Sequence, residues 1–220
     1  MNQPTADYLQ GIWKQLAGPS AALQARGLQS GMSPGLLGEL ARARDKYAIV
    51  SIGWDPPAFF TPEREVEWCE GRRALLEALS RSEAVAGPLP LRGSLTHAEK
   101  TTIAVSARAS GVGVDLESRH RPIHPSLGEK IQSPTEAGFA LRALELWVLK
   151  EACFKAHPRR EHADSDARVL SGYRLQAVDP PGSDAGGLAG VAEGYGEVFR
   201  FRLIRTADWL VSFALAGNNP

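Results

Sequence analysis

A helical stretch followed by paired strand-like runs occurs twice along this chain, and that order limits the folds open to it. Residues 61–80, "TPEREVEWCEGRRALLEALS", begin with Thr61 as a candidate N-cap, Pro62 at the first helical position and acids in the first turn, all favourable helix-start chemistry. "TTIAVSAR" (101–108) and "GVGVDLE" (111–117) follow as a candidate hairpin. Further along, "SPTEAGFALRALELWVLKEACFKAHP" (133–158) reads as a second helix, the longest element, ended by Pro158. After it come "GYRLQAV", a Gly/Pro/Ser/Asp-rich loop at 179–190, and the strand-like runs "EVFRFRLIR" and "DWLVSFALA". Helix then antiparallel strands, twice, predicts an α+β chain of two packed halves with a ligand at their seam. The halves divide as residues 1–118 and 119–220.

Residues 1–45 say less. Tyr8, Ile12, Trp13 and Leu16 predict a short amphipathic helix, and "KYAIVSIGW" (46–54) reads as a strand. The chain has 220 residues, 43% of them hydrophobic, which is ample for a core. Lys plus Arg and Asp plus Glu balance at 25 each, so no polyanion-binding surface is indicated and nucleic acid is not an expected partner. The start of the sequence lacks a basic then apolar leader, and no run of 18 apolar residues occurs, so the expectation is a cytoplasmic protein without a membrane span. Cys69 and Cys153 fall in helical patterns and read as buried thiols.

"GVGVDLES" (111–118) sets a narrower problem. Side chains alternate along a strand, so Asp115 and Glu117 share one face while Val112, Val114 and Leu116 share the other. Such an acidic face belongs either to a solvated edge strand or to a site for a hard cation. Two helices carry charges among apolar neighbours. Glu151 has Leu144, Trp147, Val148 and Phe154 at helical spacing, with Lys155 one turn on. Arg72 is flanked by Trp68, Cys69, Leu75 and Leu79, and Arg64 lies on nearly the same face. Either Arg72 and Glu151 pair across the core, or one helix supplies an anion pocket and the other a metal ligand. In the second case Asp115, Glu117 and Glu151 form an oxygen-only set, which favours Mg²⁺ and a phosphate-bearing substrate. Lys150, Lys155, Arg64, Arg72 and His97 would then balance the remaining phosphate charge. No Walker-type loop or kinase motif is present.

"GVGVDLES" followed by "WVLKEACFKA" (147–156) resembles the paired motif of the 4'-phosphopantetheinyl transferases. "RGSLTH" (92–97) resembles that family's G-S-(I/L)-(S/T)-H block, and "EGRRALLEAL" (70–79) the GR-containing helix of its monomeric surfactin/enterobactin-type branch. The four blocks stand in the family's order. The Trp-Pro stretch that often precedes the His block is lacking, and Ala98, Glu99 and Lys100 replace the small residues that usually follow it.

The resemblance implies a pseudo-twofold α+β fold with coenzyme A between the halves, and transfer of 4'-phosphopantetheine to a serine of an apo acyl or peptidyl carrier protein with release of adenosine 3',5'-bisphosphate. It implies Mg²⁺ held by Asp115, Glu117 and Glu151. Glu151 would act as base, Lys155 would assist the leaving group, Lys150 and Lys155 would neutralise phosphates, and His97, Arg64 and Arg72 would hold the nucleotide end. A coenzyme A- or carrier-binding homologue without catalysis is the alternative, and a metal-dependent phosphohydrolase is a third reading.

Overall fold

The computed structural model describes residues 6–27, 33–47, 61–84, 86–124, 126–158, 169–179 and 187–217. Its helices are α1 (Ala6–Ala17), α2 (Pro34–Tyr47), α3 (Pro62–Glu83), α4 (Ser126–Ile131) and α5 (Ala143–Ala156). Its strands are β1 (Ala22–Gly27), β2 (Leu91–Ala98), β3 (Thr101–Arg108), β4 (Gly111–Ser118), β5 (Tyr173–Val178), β6 (Gly187–Gly194), β7 (Glu197–Arg205) and β8 (Trp209–Ala216). Two antiparallel sheets result, ordered β1-β3-β2 and β4-β8-β7-β6-β5. The α+β class is as the sequence indicates. No helix among the described residues is long and apolar enough to cross a membrane.

The helix α3 starts as its sequence predicts, with Thr61 Oγ1 accepting from Arg64 N at 3.3 Å and Pro62 in the first turn. It packs on the first sheet, and α5 packs on the second. Between the sheets lies a shared core: Ile103 and Val105 from β3, Val112, Val114 and Leu116 from β4, Val211 and Phe213 from β8, and Trp13 from α1. Trp13 Nε1 donates to Ser106 O at 3.0 Å, and α1 closes this core with Leu9, Trp13 and Leu16, while Tyr8 of the expected apolar face is exposed. Both cysteines are free and buried, and burial pushes both thiols up from their ordinary pKa.

Several expectations change. The runs 101–108 and 111–117 are not a hairpin: β3 pairs with β1 and β2, whereas β4 pairs with β8. The chain crosses from one sheet to the other at Ala109 and Ser110 because the apolar faces of β3 and β4 approach the same core from opposite sides. The strand bearing Asp115 and Glu117 therefore belongs to the C-terminal sheet, and the sheets divide between Arg108 and Gly111 rather than at 118/119. The stretch 133–158 is not one helix. Pro134–Phe139 is a 3₁₀ segment, Ala140 turns left-handed at φ 51°, and α5 starts afresh. Glu136 and Glu145 each accept a backbone N–H three residues back, from Ser133 and Arg142, which marks two helix starts. Among the described residues the longest helix is α3, at 22 residues.

Of the strand expected at 46–54, Lys46 and Tyr47 instead end α2, and 48–54 lie outside the described residues. The loop expected at 179–190 gives way to β6 from Gly187, a strand of small residues between β5 and β7.

Candidate active site

The edge strands of the two sheets, β2 and β4, lie side by side without a backbone ladder. Side chains of β2 join them instead. Ser94 Oγ accepts from Val114 N at 3.2 Å, and Thr96 Oγ1 donates to Asp115 Oδ1 at 3.1 Å. All of these residues are buried. An edge strand that leaves an N–H inside a protein must satisfy it locally, and Ser94 does so for β4.

Along β4, Gly111, Gly113, Asp115 and Glu117 share the face opposite to the inter-sheet core. The helix α5 rests directly on the two glycines. A Cβ on Gly113 would stand 1.9 Å from Ala152 O, and one on Gly111 1.8 Å from Ala156 O. That close approach brings Lys155 to the strand, where its Nζ donates to Asp115 Oδ1 at 2.6 Å and to Val114 O at 3.2 Å. Asp115 is 5% exposed, and its Oδ2 is buried with no hydrogen-bond partner among the described residues.

Glu117 lies further out and pairs with Arg121. Burial pushes its carboxyl pKa up, Arg121 opposes, the neighbouring Asp115 adds to the rise, and Lys155 offsets part of it. Glu151 sits one turn before Lys155, half-buried rather than in the middle of the apolar stripe. It lines a groove of about 380 Å³ with Leu127, Ile131, Trp147, Phe154 and Leu170. Among the described residues no three His, Cys, Asp or Glu side chains are gathered as a ready metal cage. The donor atoms nevertheless suit a hard cation: they are carboxylate oxygens, and Asp115 Oδ2 is a buried acceptor left open.

On the other side of the seam stand the cations. His97 is near the end of β2, its Nε2 3.5 Å from Glu67 Oε2. Its side chain is half-exposed, and the partial loss of water around it pushes its pKa down; Glu67 opposes, while Lys155, Arg72 and Arg64 act in the same direction as that desolvation. Lys155 on α5 and Arg72 and Arg64 on α3 thus each act on His97 at the end of β2. The Arg72 guanidinium lies 4.3 Å from the centre of the Trp68 ring, and burial lowers its pKa to about 10. Glu99, within the replaced segment after His97, takes a left-handed φ of 50° in the turn that joins β2 to β3.

Lys150 is the exception. It is wholly buried on another side of α5, where Nζ donates to Glu136 Oε2 at 2.8 Å and to Ile131 O at 2.5 Å. It does not reach the seam as a phosphate-neutralising lysine. Two residues that sequence reasoning did not single out, Thr96 and Ser94, do. Their period-2 spacing in "RGSLTH" is the signal that could have found them: both point to the side of β2 that meets β4. The arrangement, one buried carboxylate oxygen left open at a seam that cations also line, can hold a divalent cation and a phosphate ester together.

No protein-family model matches the chain, and no curated protein matches it by sequence.

Proposed function

We propose that this chain is a monomeric, cytoplasmic 4'-phosphopantetheinyl transferase that moves 4'-phosphopantetheine from coenzyme A to a serine of an apo acyl or peptidyl carrier protein. One observation carries the reading. Asp115 is buried at the seam with Lys155 on Oδ1 and no partner on Oδ2 among the described residues, and Lys155, Arg72 and Arg64 each act electrostatically on His97. The four sequence blocks of the resemblance lie on α3, β2, β4 and α5, of which β2 adjoins both α3 and β4, and α5 rests on β4.

In this reading Asp115 Oδ2, Glu117 and Glu151 would hold Mg²⁺. Bound there, the ion would supply charge neutralisation for the coenzyme A pyrophosphate. Glu151 takes the proton of the acceptor serine, directly or through water, as its hydroxyl oxygen attacks the phosphorus next to the pantetheine. One P–O bond forms and the P–O bond to the nucleotide breaks, releasing adenosine 3',5'-bisphosphate. Lys155 is placed to stabilise the leaving phosphate, and Arg64, Arg72 and His97 to hold the nucleotide's phosphates. Lys150 has no part in this, since its ammonium is committed to Glu136.

The test is intact-mass spectrometry of a panel of apo carrier proteins incubated with this protein, coenzyme A and Mg²⁺, with an EDTA control. The expected result is a metal-dependent gain of one phosphopantetheinyl group on the carrier. Coenzyme A binding with no gain on any carrier would move the reading to a non-catalytic coenzyme A- or carrier-binding homologue. Release of the bisphosphate without an acceptor would point to a phosphohydrolase.

A further inference from the structure

We propose that Thr96 is a positioning residue for Asp115, through which the first sheet sets the metal-facing oxygen of a site borne on the second. The inference rests on the reading of Asp115 as a cation ligand and adds a residue to it. A carboxylate can rotate about its Cβ–Cγ bond, and its two oxygens are equivalent until something distinguishes them. Here both donors, Lys155 Nζ at 2.6 Å and Thr96 Oγ1 at 3.1 Å, converge on Oδ1 and leave Oδ2 without a partner among the described residues.

The two donors come from different parts of the molecule. Lys155 is on α5, which rests on the same sheet as Asp115, so it moves with the carboxylate. Thr96 is on β2, in the other sheet. Its bond joins the edge strands together with that from Val114 N to Ser94 Oγ, at 3.2 Å one residue before Asp115. A shift of β2 against β4 would remove the Thr96 bond first and free the carboxylate to turn. Thr96 is itself 5% exposed, so water does not readily replace it. The β-branched side chain, stiff at χ1, suits a donor that must hold one direction.

Two measurements on the full chain test this. The first is Mg²⁺ binding by calorimetry in the presence of coenzyme A, for wild type, Thr96→Val and Thr96→Ser. The isosteric valine keeps the packing and removes the donor, and is expected to weaken Mg²⁺ about tenfold, the scale of one hydrogen bond to a charged group. Serine is expected to restore wild-type affinity within about twofold, since it keeps the donor. Unchanged Mg²⁺ affinity in Thr96→Val would overturn the proposal.

The second measurement does not depend on metal. In a cycle of Thr96→Val with Asp115→Ala followed by urea unfolding, Thr96→Val should matter in wild type and have no effect once Asp115 is alanine. Equal effects in both backgrounds would show that Thr96 acts on something other than Asp115, and the proposal would fail. Coupling in the cycle together with a wild type that binds no Mg²⁺ would retain Thr96 as the residue that orients Asp115 and remove the metal role from the proposed function.

Discussion

Lys150 Nζ lies 2.8 Å from Glu136 Oε2, and both side chains are fully enclosed. Glu136 also accepts from Ser133 N at 2.7 Å and from Leu175 N at 2.9 Å, so this ion pair ties α5, the 3₁₀ segment and β5 together. Five residues along the same helix, Lys155 faces the seam between the sheets. One short motif therefore carries a lysine for the fold and a lysine for the site. Lys150→Met leaves the Glu136 carboxylate buried without its counter-ion and is expected to cost about 3–5 kcal/mol in urea unfolding. Adding Glu136→Gln should recover part of that loss. A Lys150→Met protein of wild-type stability would show that the pair does not hold this half together.

The same acid predicts how the fold responds to pH. Burial by itself would raise the Glu136 pKa, but the bonds from Lys150, Ser133 N and Leu175 N outweigh it and hold the carboxyl below the ordinary glutamate value. Glu145, bound by Arg205 and Arg142, is lowered in the same way. The unfolded chain then takes up protons at a higher pH than the native one, so stability rises with pH through this range. The stabilisation is complete above the ordinary value of 4.5 and is lost as pH falls through the lower native pKa values. Thermal melts from pH 6 downward should decline first near that value, and Glu136→Gln should flatten the decline.

Gly113 is expected to be intolerant of a single methyl group for reasons of packing. A Cβ there would meet the backbone carbonyl of Ala152 at 1.9 Å, and neither β4 nor α5 can yield without moving Asp115 away from Lys155. Gly113→Ala should cost about 3 kcal/mol or more, at the upper end for overpacked cores, and lower Tm by about 6–12 °C in a domain of this size. Gly11 is the control. It sits on the exposed side of α1 with open space around it, so Gly11→Ala should stabilise by about 0.5–1 kcal/mol. Equal effects from the two substitutions would remove the close-approach argument.

These cases show what could be read from the chain. The start of α3 and the shared face of Asp115 and Glu117 were legible because both depend on local chemistry: a cap with a proline, and the period of a strand. The break at Ala140 was not, because the apolar run across it is continuous and only the paired capping acids, Glu136 and Glu145, record two starts. Partnership between strands was also hidden. Adjacency suggested that β3 and β4 pair, yet each finds its ladder elsewhere, since the core they share lies between two sheets. Lys150 and Lys155 show the limit most clearly: five positions along a helix turn a side chain well away from the first, and which lysine faces the seam depends on what lies over each face.

His97 is expected to be neutral at pH 7 in the free protein. Burial lowers its pKa from 6.5; Glu67 opposes this, and Lys155, Arg72 and Arg64 reinforce it. An anion bound among these cations reverses the balance, so the histidine's NMR titration midpoint should lie below 6.5 without ligand and move upward with coenzyme A. By linkage the free protein loses stability as pH falls from 6.5 toward that lower midpoint, because the unfolded chain protonates first. A midpoint unmoved by saturating coenzyme A would separate His97 from the ligand's phosphates.

Asp115→Asn provides the most direct test of the seam, because it changes charge while keeping shape. The amide's oxygen can still accept from Thr96 and Lys155, so the fold should persist with at most a small change in the urea midpoint. The position of Oδ2, however, becomes the amide NH₂, a donor that cannot ligate a hard cation. Transfer to a carrier is therefore expected to fall by about a hundredfold or more, the scale seen when a charge acting on the transition state is removed. Glu151→Gln should fall at least as far, since it removes the proposed base as well as a ligand, and raising Mg²⁺ should rescue Asp115→Asn in part but not Glu151→Gln. Full transfer by Asp115→Asn at ordinary Mg²⁺ would remove the carboxylate from the reaction and leave its ion pair with Lys155 as a structural contact between β4 and α5.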